Sequence, residues 1–251
     1  MSDKVFVDYS RYYDLLYQDK DYIGESKYIV NLLKRHGIVK GSLLEFGSGT
    51  GKHGRLIANE GFQVHGIERS AEMVKLAEQI NGFTCEVGDI CDIQLNKNYD
   101  AVLSLFHVVS YQTTNADLHR VFSRAAEHLK AGGIFVFDVW FTPAVLTNLP
   151  SVRIKRMSDD EIEIVRIAEP IIYHEKNCVD VNYTIFSTDI SSGIFKTFNE
   201  THPIRHFSLP ELDLLAEAHG FSRINAEEFL TGSKPSDSTW GVCITLEKLN
   251  D

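Results

Sequence analysis

A glycine-rich turn at residues 43–51, Leu-Leu-Glu-Phe-Gly-Ser-Gly-Thr-Gly, constrains the fold of this chain more than any other feature. It follows an apolar segment at 42–46 that predicts a buried strand, and it precedes a segment at 52–60 that predicts a helix. Glycine adopts positive φ at no steric cost and lets a ligand approach the backbone. Amide groups at a helix N-terminus suit a carboxylate. The turn therefore predicts a strand–loop–helix unit that holds an anionic group.

Two other nucleotide-binding patterns fit this turn less well. The dinucleotide fingerprint G-x-G-x-x-G needs a glycine three residues after Gly49, where the chain has Lys52, and Gly54 completes only a looser match. A P-loop needs Ser or Thr after its lysine, but His53 follows Lys52. The spacing of the glycines therefore disfavours a nicotinamide oxidoreductase, and the residue after Lys52 disfavours a P-loop nucleotide-binding protein.

The chain around the turn alternates between strand and helix patterns. An amphipathic helix is predicted at 22–36 and ends before Gly37, and later helices are predicted at 71–79 and 117–129. Further strands are predicted at 62–67, 83–87, 100–106 and 134–139. Helical connections of this length predict βαβ units in a parallel α/β sheet, with the loops after the strands meeting at one edge.

Residues 151–206 depart from that alternation. In this region polar and apolar residues alternate, and many side chains are β-branched. This pattern predicts an antiparallel sheet with one solvent-exposed face. Its predicted strands lie at 153–157, 161–168, 171–175, 178–187 and 194–201. A helix opened by Ser208 and a strand at 241–246 then return to the main sheet. We therefore expect an insert that covers the edge of the sheet where ligands bind.

Acidic residues follow the second and third predicted strands. Glu68 lies about 20 residues beyond the glycine turn, where a carboxylate can accept hydrogen bonds from two ribose hydroxyls. Asp89, in Gly88-Asp89-Ile90, can accept from an adenine amino group while Ile90 packs on the ring. Carboxylates are also common at strand ends and in turns, so the functional interpretation of Glu68 depends on its spacing from the glycine turn.

The set E-F-G-S-G-T-G, Glu68 and G-D-I resembles the motifs of class I methyltransferases that use S-adenosylmethionine, over roughly residues 40–140. The resemblance implies a doubly wound, Rossmann-like, seven-stranded and mostly parallel sheet with a reversed last hairpin. It divides the chain into N-terminal helices with the cofactor-binding core (1–150), an antiparallel substrate lid (151–206) and the C-terminal part of the sheet (207–251). The cofactor-binding candidates on this basis are Glu45, Gly47, Ser48, Gly49, Gly51, His53, Glu68, Arg69, Met73, Asp89, Ile90 and Leu105.

A second resemblance extends over nearly the whole chain. Segments 12–16, 137–143 and 205–208 are similar to those of the N-methyltransferases of nucleotide-linked amino sugars. This implies that Tyr13 lines the cofactor pocket and that an amine or hydroxyl of such a sugar is the acceptor. The arginine of the late S-G-R-G segment of that family is missing, because the chain has Ser-Thr-Trp-Gly at 238–241. The substrate-binding candidates are Tyr9, Phe106, Trp140, His206 and Trp240.

Methyl transfer from a sulfonium needs contact between two centres and an acceptor that has lost its proton. The catalytic candidates are His107, which follows the fourth strand, and Tyr111, although a packing role for His107 is equally compatible with the sequence. Other possible bases are Glu175, His202 and His206 of the insert. We expect no metal site, because His202 and His206 on a strand and loop do not share a helical face.

The composition of the chain disfavours several classes of binding partner. A formal net charge of -10 without a run of Lys and Arg disfavours nucleic acid as a partner. No apolar stretch is long enough to span a bilayer, no secretory signal is recognisable, and the four cysteines form no C-x-x-C pair. We expect a cytoplasmic monomer or homodimer acting on a small molecule. Another small metabolite as acceptor, and a non-catalytic protein that only binds S-adenosylmethionine, remain open.

Overall fold

The computed structural model describes Leu15 and residues 20–249. Its core is a parallel sheet in the order β3-β2-β1-β4-β5, whose strands are β1 (Ser42–Phe46), β2 (Gln63–Glu68), β3 (Phe83–Val87), β4 (Tyr99–Ser104) and β5 (Leu129–Phe141). Strand β11 (Gly241–Lys248) runs antiparallel to β5, and β10 (Phe221–Glu228) runs antiparallel to β11. These seven strands confirm the predicted class I fold, including its reversed last hairpin.

Helices cover both faces of the sheet, and an apolar cluster fills each interface. The helices are α1 (Tyr22–Arg35), α2 (Lys52–Asn59), α3 (Ala71–Leu76), α4 (Asn115–His128), α5 (Thr142–Thr147) and α6 (Leu209–Glu217). Side chains cap several of them, since the Ser70 and Thr114 hydroxyls accept from backbone amides in the first turns of α3 and α4. No helix in the described part of the chain is long and apolar enough to cross a membrane.

Four antiparallel strands form the insert, here called the lid: β6 (Arg153–Ser158), β7 (Ile162–Tyr173), β8 (Cys178–Asp189) and β9 (Phe195–Phe207). The end of β9 pairs with the end of β5, so that lid and core share an 11-stranded sheet. The division of the chain at residues 150 and 206 stays a prediction.

The lid corrects two expectations about its strands. The segments predicted at 161–168 and 171–175 are one strand, β7, which passes through Pro170. β6 pairs with β7 only as far as Ala168, so at Pro170 no described strand pairs with β7 on that side, and no donor is needed for such a pairing. In addition, β9 continues to Phe207 instead of ending at residue 201, which places His202 and His206 within the strand.

A buried carboxylate fastens α1 to the last hairpin. Glu227 on β10 is 4% exposed and accepts hydrogen bonds from the Tyr28 hydroxyl (2.7 Å), Arg35 and the Asn225 amide (2.7 Å). Burial acts to raise the pKa of Glu227, but these donors outweigh it, so the net pKa lies below its ordinary value. Ionised Glu227 therefore stabilises the contact between α1 and the sheet.

We predict that Glu227→Ala lowers the free energy of unfolding by about 2 kcal/mol at pH 7, because it removes the buried acceptor that Tyr28, Arg35 and Asn225 share. A group with a lowered native pKa stabilises above its unfolded pKa and loses that effect as the pH falls through its native pKa. The difference between wild type and variant must therefore shrink below about pH 4.5. Denaturant titrations at several pH values test this. The exposed Glu217→Ala serves as control, and equal losses in both variants would contradict the prediction.

Candidate active site

The glycine turn after β1 has the geometry that its composition predicts. Gly47, Gly49 and Gly51 all have positive φ, at 71°, 56° and 74°. A Cβ on Gly47 would lie 2.6 Å from a Val108 methyl carbon, and one on Gly51 would lie 2.6 Å from the Phe83 ring. Side chains are thus excluded at these positions by backbone conformation and by packing together, and the backbone is left bare at the mouth of a cavity.

Glu68, at the end of β2, ties this turn to its neighbour. One carboxylate oxygen accepts from the Gly49 amide at 3.0 Å, and the other accepts from the Ser70 amide at 2.8 Å. The same Ser70 caps α3. The carboxylate thereby links the turns after β1 and β2 and lines the cavity between them.

A cavity of about 340 Å³ opens at the carboxyl edge of the parallel strands. Twelve of the residues predicted for the site line it: Gly47, Ser48, Gly49, His53, Glu68, Arg69, Met73, Asp89, Ile90, Leu105, Phe106 and Tyr111. His202, which the sequence offered only as a possible base, also lines the cavity. The remaining lining residues were not predicted for the site: Tyr22, Thr50, Lys52, Gly88, Val108, Gln112, Glu200 and Pro203.

Several predicted site residues lie elsewhere. Tyr9 and Tyr13 fall outside the described residues. Glu45, Gly51, His107, Trp140, His206 and Trp240 do not belong to the lining of this cavity. Gly51 is set back against Phe83, and Trp140 and Trp240 pack edge to face, with centroids 5.4 Å apart, in the apolar cluster beneath the lid.

Glu45 and His206 are removed from the cavity by burial. Glu45 is 1% exposed, and its burial together with the charge of Glu68 raises its pKa to about 8. His206 is fully buried, and its Nδ1 lies 2.8 Å from the Thr142 hydroxyl. Burial, with smaller effects of His174 and Arg205, lowers its pKa to about 4. Both residues are therefore neutral parts of the core around neutral pH.

His107 is held by a buried carboxylate behind the cavity wall. Both Phe106 and His107 have positive φ, at 64° and 61°, and this turn directs His107 toward Asp138 on β5. The Nδ1 of His107 lies 2.6 Å from Asp138 Oδ2, which also accepts from the His107 amide at 3.1 Å. Burial acts to raise the pKa of Asp138, but the adjacent His107 outweighs it, and the net pKa is lowered. The His107 ring stacks on Phe106, which reaches the cavity.

Another hydrogen-bonded group crosses from the core to the lid. The Tyr111 hydroxyl lies 2.8 Å from Nδ1 of His202 on β9, and Nε2 of His202 lies 3.1 Å from Glu200. All three residues line the cavity. The E-x-H spacing at 200–202 was the available signal for Glu200, because residues two apart share one face of a strand.

Helix α1 contributes Tyr22 to the cavity wall, and its Glu25 contacts His53, which also lines the cavity. His53 Nε2 lies 2.6 Å from a carboxylate oxygen of Glu25, which also binds the Lys20 ammonium at 2.6 Å. Lys20 in turn sits 3.9 Å above the Phe106 ring.

Within the described residues no three His, Cys, Asp or Glu side chains are grouped in a way that could hold a metal ion.

Comparison with known proteins supports this description. Residues 43–133 match the model of a methyltransferase domain. The chain is 28% identical over 217 residues, covering 85% of this chain and 90% of the relative, to dTDP-3-amino-3,4,6-trideoxy-alpha-D-glucopyranose N,N-dimethyltransferase of Streptomyces venezuelae. It is 29% identical over 223 residues, covering 88% and 84%, to dTDP-3-amino-3,6-dideoxy-alpha-D-glucopyranose N,N-dimethyltransferase of Streptomyces fradiae.

Solved structures show the same fold. A S-adenosylmethionine-dependent methyltransferase from Clostridium acetobutylicum superposes with a TM-score of 0.81 at 19% identity, covering 98% of this chain and 99% of that one. Streptomyces venezuelae DesVI superposes with a TM-score of 0.78 at 25% identity, covering 94% and 97%.

The matched domain spans the glycine turn, Glu68 and Asp89, which are the residues that surround the cavity at the edge of the sheet. Relatives and structural neighbours along the rest of the chain are methyltransferases as well. The chain therefore carries a methyltransferase domain at residues 43–133, and it is similar in sequence and in fold to S-adenosylmethionine-dependent methyltransferases.

Proposed function

We propose that this enzyme methylates the amine of a small sugar that is linked to a nucleotide. The observation that carries the proposal is that the two Streptomyces relatives, each matching more than four-fifths of the chain, are N,N-dimethyltransferases of dTDP-amino sugars. The cavity between core and lid agrees in scale with a small-molecule site. The net charge of -10 supports the further proposal that nucleic acid is not an acceptor.

The cofactor is proposed to lie along the turns after β1, β2 and β3. Thr50, Lys52 and His53, around the N-terminus of α2, line the cavity where a carboxylate is favoured. Glu68 is proposed to accept from the ribose hydroxyls, and Asp89 with Ile90 to hold the adenine. The Asp89 carboxylate is kept in place by the Cys91 amide, which donates to it at 2.8 Å. When bound, S-adenosylmethionine supplies a methyl group on a positively charged sulfur.

The acceptor is proposed to enter from the side of β4 and the lid, where Phe106, Tyr111 and His202 line the cavity. Displacement at the methyl group forms no covalent intermediate, so the protein contributes by holding the two centres in line and by excluding water. Tyr111 reaches the cavity and is proposed as a catalytic residue. His107 does not reach it, so we propose that His107 positions Phe106 instead.

We also propose a cytoplasmic location, which the four cysteines support because all are buried free thiols. The choice between a monomer and a homodimer stays a prediction.

The acceptor assay uses S-adenosylmethionine with dTDP-3-amino-3,6-dideoxyglucose, its counterpart with a hydroxyl in place of the amine, and the amino sugar without the nucleotide. We expect mass spectrometry to show one or two added methyl groups on the first compound only, because the proposal places methylation on nitrogen and requires the nucleotide. Transfer to the hydroxyl compound alone, or to none of the three, would contradict the proposal and point to another small metabolite.

For Glu68→Ala we predict about 100-fold weaker binding of S-adenosylhomocysteine, because charged hydrogen bonds to the ribose and the tie to Gly49 are lost together. Titration calorimetry measures this loss. The control is Glu72→Ala, which removes a carboxylate from the first turn of α3 that pairs with Lys75 and does not line the cavity. Unfolding temperatures check that both variants fold. Binding by Glu68→Ala within about threefold of wild type would overturn the ribose assignment.

A further inference from the structure

We propose that Glu200 and His202 of the lid form, with Tyr111 of the core, a relay that takes the proton from the acceptor. The inference rests on the proposed function, because it assigns residues that prepare an amine or hydroxyl for methylation. It assigns Tyr111 as the group that touches the acceptor, and Glu200 and His202 as positioning residues that act through Tyr111.

The first support is the direction of the hydrogen bonds. An ionised carboxylate only accepts, so the 3.1 Å contact between Glu200 and His202 Nε2 places the proton of the neutral ring on Nε2. Nδ1 is then the acceptor nitrogen, and the Tyr111 hydroxyl donates to it across 2.8 Å. The phenol oxygen is thereby oriented with its proton toward His202 and keeps its capacity to accept a proton.

The second support is the placement of the relay in the fold. Glu200 and His202 share one face of β9, and Val181, the partner of His202 on β8, belongs to the apolar cluster that contacts Trp140 and Trp240. That face is therefore turned toward the core. The pairing of Trp140 on β5 with His206 fixes β9 four residues beyond His202. The lid strand is thus held where His202 meets Tyr111.

The third support is the environment of the imidazole. The side chain of Glu200 is 8% exposed and that of His202 is 20% exposed, so the pair is largely shielded from solvent. Besides Glu200, the ionisable groups next to the ring within the described residues include Tyr111 and Tyr183, the latter with its ring centroid 5.1 Å away. The Arg166 guanidinium lies 4.7 Å from the centroid of the Tyr183 ring. Glu200, 3.1 Å from Nε2, is therefore an anion placed to stabilise an imidazolium.

The proton balance is complete. The acceptor ammonium or hydroxyl gives its proton to Tyr111 Oη, while the original Tyr111 proton moves to His202 Nδ1. His202 becomes an imidazolium paired with Glu200, and the acceptor nitrogen or oxygen gains the electron pair that attacks the methyl group. The imidazolium then releases its proton to solvent, so that no oxidant or further reactant is needed.

A mutant cycle tests the relay with whichever acceptor the wild-type enzyme methylates. We expect Tyr111→Phe to lower kcat/KM about 100-fold and Glu200→Gln about tenfold, with unchanged affinity for S-adenosylhomocysteine. Because Glu200 acts only through Tyr111, we expect Glu200→Gln to cause no further loss in the Tyr111→Phe background. Thr201→Ala on the opposite face of β9 is the control for folding of the lid. Losses that multiply in the double variant, or a wild-type rate in Glu200→Gln, would overturn the relay.

The pH profile and the histidine tautomer give independent readouts. Removing the Glu200 charge makes the imidazolium less favourable, so the acid limb of kcat/KM should move to lower pH in Glu200→Gln. Nitrogen-15 NMR of labelled wild-type protein at pH 8, assigned with His202→Gln, should show His202 protonated on Nε2. An Nδ1-protonated ring would overturn the relay. This spectrum needs no substrate, so it decides the relay geometry even if amino sugars fail as acceptors.

Discussion

The hydrogen bond from the Gly49 amide to the Glu68 carboxylate is the contact on which the site depends. It joins the turns that follow β1 and β2 at 3.0 Å, and the second Glu68 oxygen extends the link to Ser70 and α3. Gly47 and Gly51 leave no room for side chains around this link. The parallel sheet brings these turns to one edge, and we propose that the bare backbone and the fixed carboxylate there bind the carboxylate and the ribose of the cofactor.

The lid completes the site because its last strand is continuous with the core. β9 pairs with β8 over most of its length and with β5 at its end, so the position of the lid is set by sheet hydrogen bonds. This arrangement brings Glu200 and His202 to the wall of a cavity whose other side is made by the glycine turn. The proposed division follows from the topology, with the cofactor placed at the turns after β1, β2 and β3 and the acceptor placed near the residues after β4 and on β9.

Local patterns were sufficient for the core of the fold. The glycine spacing and the alternation of strand and helix predicted the parallel sheet. Glu68, Asp89 and Ile90 lie at or just after the ends of strands that the local sequence pattern predicts. The positions of the predicted residues that do not line the cavity depend on distant contacts. Whether His206 meets substrate or is buried against Thr142 is decided by the pairing of β9 with β5, far apart in sequence. Glu200 was not among the predicted residues for a similar reason, because its place in the cavity wall depends on where β9 passes Tyr111.

A crystal structure of the protein with S-adenosylhomocysteine tests the central claim most directly. The account predicts that both ribose hydroxyls lie within hydrogen-bond distance of Glu68, that the amino-acid end lies against the turn at Gly47 and Gly49, and that the adenine lies beside Asp89 and Ile90. A ligand bound elsewhere, or bound in this cleft with its ribose away from Glu68, would contradict the account.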